Sequence, residues 1–166
     1  MSKFKNSKKD TFLSTIIQES LESEKNNLSV RCKFNFSYMD FSQEAGQSFE
    51  EWTKDELEKL LHKLKNYTEN SLSYWQNQRV GAGNNTVLEV YKSFPKKSDF
   101  IHPKYIPHEV WWSRFRLESS VRLVGFILPS EYKNKKHPRE DLYFDHNTFY
   151  IVFLDRDHRF YKMDHK

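Results

Sequence analysis

The order of element types along this chain limits its fold more than any single motif does. A strand-like run over residues 30–41 comes first, helical sequence follows, and at least three strand-like runs fill residues 111–163. Within residues 30–38, Val30, Cys32, Phe34, Phe36 and Tyr38 alternate with Arg31, Lys33, Asn35 and Ser37. Period-two alternation marks a half-buried strand. A strand, then helices, then a meander predicts an α+β domain: one twisted antiparallel sheet with helices packed on one face.

The helical sequence carries its own start signals. Ser48-x-x-Glu51 and Thr53-x-x-Glu56 are overlapping capping boxes, and the second leads into Leu57, Leu60, Leu61 and Leu64. Spacings of three and four residues put those leucines on one helical face, predicted to pack on the sheet. Thr68 is expected to cap a further helix through Leu72 and Trp75, broken at residues 81–85. Upstream, Asp10 can cap a helix striped by Phe12, Leu13, Ile16, Ile17 and Leu21. We therefore divide the chain into an N-terminal polar arm and helix (residues 1–29) and an α+β domain (residues 30–166). Whether that first helix packs on the domain or stands off as an arm is open from sequence.

Residues 87–94 fit either helix or strand, and Pro95, Pro103 and Pro107 make residues 95–108 an irregular connection. A loop of that length points to function or to an unrecognised short element. The sheet then resumes. Arg114-Phe115-Arg116-Leu117-Glu118 alternates cleanly, and residues 122–128 are apolar on both faces, as in a central strand. A three-residue turn at residues 119–121 places Phe115, Leu117, Leu123 and Ile127 on one face. It gathers Arg114, Arg116 and Arg122 on the other, expected to be exposed. Residues 149–154 form a last apolar strand, followed by the run His158-Arg159-Phe160-Tyr161-Lys162.

Charge sharpens the functional question. Residues 1–95 carry 13 basic and 13 acidic side chains, whereas residues 96–166 carry 14 and 10, so the whole formal charge of +4 lies in the C-terminal part. That asymmetry suits a nucleic-acid-facing surface. A single cysteine, Cys32, excludes an internal disulfide; it is expected in the core rather than as a nucleophile. With no leader-like segment and no apolar run near the roughly 20 residues that span a bilayer, the expected location is cytoplasmic, away from membrane.

RNA can be cut without metal if a base takes the 2′-hydroxyl proton, cations stabilise the phosphorane charge and an acid protonates the leaving 5′-oxygen. Arg114, Arg116, Arg122, His158, Arg159, Tyr161 and Lys162 are the candidates for these roles, with no cofactor. Lys133, Lys135, Lys136 and Arg139, interleaved with Tyr132 and His137, are the candidate nucleic-acid contacts. The competing reading of both sets is ordinary solvated charge. A metal site is the chemical rival: there are seven histidines, several beside acids (Asp145-His146, Asp157-His158, Asp164-His165), but no CxxC or HExxH spacing.

On residues 31–40, 48–75 and 114–162, the layout resembles the RelE/ParE superfamily of toxins. The run His158-Arg159-Phe160-Tyr161-Lys162 looks like the His, Tyr and basic residues such toxins carry near their C-terminus. The resemblance implies a metal-independent endoribonuclease with RNA and an antitoxin protein as partners, in a toxin–antitoxin or phage-defence system; for the RelE-like branch it implies cleavage of mRNA in the ribosomal A site. The added N-terminal helix and the long segment 81–110 depart from that pattern. They keep open the alternative of a non-catalytic module that binds nucleic acid or protein.

Overall fold

The computed structural model describes residues 8, 11–12, 27–118 and 120–162. The helix expected from Asp10 to Leu21 lies outside the described residues, apart from Thr11 and Phe12. The elements run β1 (Lys33–Asn35), α1 (Lys54–Tyr67), α2 (Leu72–Asn77), β2 (Leu88–Lys92), β3 (Trp111–Arg116), β4 (Arg122–Ile127) and β5 (Thr148–Asp155). The strands form one sheet in the order β1-β5-β4-β3-β2. The expected α+β class is present: β2 to β5 make an antiparallel meander with β4 at the centre, and β1 joins its edge parallel to β5. Among the described residues no helix is long and apolar enough to cross a membrane.

Local chemistry explains the boundaries. β1 is shorter than the alternation over residues 30–38 predicts. The Asn35 carboxamide oxygen accepts from Ser37 N at 2.9 Å, an Asx turn that takes the chain off the ladder. It meets β5 again through Asp40 N to Val152 O at 2.9 Å and Gln47 N to Leu154 O at 3.2 Å. Thr53 and Glu56 close the capping box that opens α1, with Glu56 Oε2 accepting from Thr53 N at 2.8 Å. The Ser48 signal opens only a 3-10 turn, Phe49–Glu51. Thr68 does not start the next helix: it caps the C-terminus of α1, and Ser71 caps α2 by accepting from Tyr74 N at 3.1 Å.

Both helices cover one sheet face. Leu60, Leu64, Tyr67, Leu72 and Trp75 are buried with Phe115, Leu123 and Ile151, and Leu57 packs against them. Leu61 is the exception in its stripe at 64% exposed, turned away on the outer side of α1. The opposite face is not open, as sequence reasoning expected. A second apolar layer covers it, made by Phe100, Ile106 and Val110 of the proline-rich connection and by Phe160, packed on Trp112, Val124 and Phe153. The long irregular segment is therefore a lid over half the sheet. Its burial of large aromatic side chains offsets the conformational cost of ordering a loop.

Candidate functional site

The β3–β4 register pairs Arg116 with Arg122 and Arg114 with Val124. Leu117 N donates to Val121 O at 3.0 Å, so the turn comprises residues 118–120, one residue earlier than expected. The register is offset by two residues from the expected one, which preserves the faces. Arg114, Arg116 and Arg122 do share one face, and Arg116 lies directly across from Arg122. Opposed side chains in such a pair start about 5 Å apart, and like charges there destabilise the sheet.

The three arginines differ in circumstance. Arg122 is only 4% exposed, and its Nη1 donates to Glu118 O at 2.8 Å and Val121 O at 2.9 Å. Burial, then the neighbouring Arg114 and Arg116, lower its pKa to about 10, so it stays charged at neutral pH. The expectation of an exposed Arg122 is thus corrected. Arg114 is half-buried, and its Nε donates to the Tyr91 hydroxyl. Arg116 is also half-buried, and among the described residues its guanidinium has no hydrogen-bond or ion-pair partner.

His158 completes this end of the sheet. Asp155, 1% exposed and directly across from Arg122, accepts from Arg159 N at 2.8 Å and Phe160 N at 3.0 Å. Those bonds tighten the turn after β5 and hold His158 at φ +59°, a left-handed conformation uncommon for a residue with a Cβ. Burial lowers the His158 imidazole below the ordinary histidine value, with Arg122 and Arg114 adding to that fall. Burial likewise raises Asp155 above the usual carboxyl value. A neutral imidazole facing guanidinium groups can accept a proton, and the guanidiniums can hold an anion.

Not every expected member joins this cluster. Tyr161 reaches it through a coplanar stack on Tyr91, with centroids 4.8 Å apart and an interplanar angle of 5°. Arg159 and Lys162 instead both bind Asp99, at 3.0 and 2.7 Å, stapling the C-terminal run to the proline-rich segment. Lys133, Lys135, Lys136 and Arg139 lie beyond the opposite end of β4, a strand length of about 17 Å from Arg122. Lys135 covers the Tyr132 ring at 4.4 Å, and Lys136 pairs with Asp141. That basic connector is a separate surface from the arginine face.

Sequence reasoning missed Tyr91, Glu89 and Asp155. Glu89 lies across from Arg114, and Tyr91 follows on the same face. The signal was present in Leu88-Glu89-Val90-Tyr91, whose alternation is that of a strand. Two of the seven histidines, His102 and His108 in the proline-rich connection, stack 4.4 Å apart, and among the described residues no three of His, Cys, Asp and Glu come together. Cys32 is buried as expected, and burial raises its thiol to about 11. Comparison of the chain with family models, curated proteins and solved structures finds no match.

Proposed function

We propose that this protein is a metal-independent endoribonuclease, a toxin of the mRNA-cleaving kind within a toxin–antitoxin or phage-defence system. The support for this reading is the like-charged Arg116–Arg122 pair, together with His158, whose imidazole is held down by burial and by the charges of Arg122 and Arg114. A protein tolerates opposed guanidiniums at a cost, and a bound phosphodiester removes that cost while presenting its 2′-hydroxyl to the imidazole.

In this mechanism His158 takes the 2′-hydroxyl proton as the 2′-oxygen attacks phosphorus. Arg116, with its guanidinium open to ligand, holds a non-bridging oxygen, assisted by Arg114. Arg122 supplies a fixed positive field from beneath rather than a direct contact, since its Nη1 already serves two carbonyls. The P–O5′ bond breaks and Tyr91, its hydroxyl oxygen held by Arg114, protonates the leaving oxygen. The products are a 2′,3′-cyclic phosphate and a 5′-hydroxyl. Purified protein incubated with RNA in EDTA should cleave it. Arg116→Ala and His158→Ala should each reduce the rate by at least about a hundredfold while remaining folded. Full activity in both variants would refute the site, and RNA bound but intact with the unaltered protein would favour a binding module.

A further inference from the structure

We infer that a single-stranded polynucleotide leaves the arginine face through a cationic, aromatic groove between the β2 exit and the C-terminal run, and not over the basic connector at residues 132–139. The inference rests on the reading of the arginine face as a phosphate site. The groove is lined by Tyr91, Phe94, Lys96, Lys97, Tyr161 and Lys162, with a volume of about 570 Å³. Its inner wall is continuous with the candidate site, because Tyr91 both lines the groove and accepts from Arg114 Nε.

The lining has the two components that hold single strands without reading sequence: cations along a track and a ring on which a base can stack. Tyr91 is half-buried and braced by Arg114, and it supports Tyr161 in a parallel stack. Tyr161 is 40% exposed, so this pair is a fixed platform with surface available for a further ring. Lys96 and Lys97 are exposed on the opposing turn. Asp99 offsets part of the charge of Arg159 and Lys162, yet these three groups together remain net positive. Backbone bonds from Lys162 N to Lys97 O and from Asp99 N to Arg159 O, both 3.1 Å, keep the walls at a fixed separation. The connector lacks this relation to the arginines, lying at the far end of β4.

The test uses a fluorescent 2′-O-methyl oligonucleotide of about 12 nucleotides, which cannot be cleaved because it has no 2′-hydroxyl, with affinity measured against salt. Lys96→Ala should reduce the salt slope by about 0.7, one phosphate contact's worth on a single strand. Tyr161→Ala should weaken binding at least about fivefold, with Tyr161→Phe near the unaltered protein, as stacking requires. Lys133→Ala/Lys136→Ala should leave both quantities unchanged. The inference is overturned if the Lys133/Lys136 change lowers the salt slope more than Lys96→Ala does, or by no oligonucleotide binding at all. Equal binding of polyglutamate with no dependence on Tyr161, the behaviour of an acidic-protein surface, also overturns it. Binding that follows the groove variants without RNA cleavage overturns the nuclease reading alone. Cleavage by a protein whose groove variants bind normally overturns the groove alone.

Discussion

Arg122→Ala separates the two arginines that sequence alone treats as equivalent. Arg122 is buried, charged, and bonded through Nη1 to the carbonyls of Glu118 and Val121. Hydrogen bonds from a charged donor contribute about 1.5–3 kcal/mol each, and removing a buried cation with its partners left in place costs roughly 3–5 kcal/mol. For a domain of this size each kcal/mol lowers Tm by about 2–4 °C, so the melting midpoint should fall by about 10 °C. Arg116→Ala should change stability by less than about 0.5 kcal/mol, since it loses no partner and relieves the repulsion across the β3–β4 pair. Urea unfolding of both variants gives the comparison. The charge of Asp155 helps hold the Arg122 pKa up, so by reciprocity loss of Arg122 raises Asp155 further. A carboxyl whose folded value is raised weakens the fold as pH rises through that value, so the Arg122→Ala deficit should grow as pH rises above the ordinary carboxyl range. Equal unfolding midpoints for Arg122→Ala and Arg116→Ala would refute the assignment of Arg122 as a buried structural cation.

Gly125→Ala should destabilise by about 3 kcal/mol or more in the same urea assay, the upper range for overpacking. A Cβ there would stand 2.0 Å from Tyr150 O and 2.8 Å from Phe149 Cε1 in the central strand, and a near-normal midpoint would show that β5 can shift freely. For His158, catalysis as a base requires the neutral imidazole, so kcat/KM should rise with pH and level off below the ordinary histidine value of about 6.5. The same depressed value means stability from His158 is complete above about 6.5 and lost as pH falls through its folded pKa. An acid limb above the ordinary value would assign the proton transfer elsewhere.

The fold was legible where local and global signals agree. The Thr53–Glu56 capping box and the Leu60/Leu64 stripe define α1, and the alternation in β3 gives the faces of Phe115 and the arginines. What was not legible depended on contacts between distant segments. Leu61 belongs to the leucine stripe by spacing, but among the described residues nothing covers its side of α1. Sequence alone makes Arg122 look exposed, because no local pattern says that residues 94–110 and Phe160 fold back over the second face. Arg159 and Lys162 share the composition of a cationic site, and only their common partner Asp99, some sixty residues away, marks them as a staple. The connector lysines have the right chemistry at the wrong end of β4, a distinction that strand order decides and composition does not.

The most direct test of the central claim, that the arginine–histidine face cuts RNA through its own 2′-hydroxyl, is the chemistry of the product ends. RNA should be incubated with the purified protein in EDTA, beside the same RNA carrying 2′-deoxy residues at the cleaved positions. The account predicts fragments with 2′,3′-cyclic phosphate and 5′-hydroxyl termini, and no cleavage where the 2′-hydroxyl is absent. Fragments with 5′-phosphate termini, or equal cleavage at 2′-deoxy positions, would contradict it.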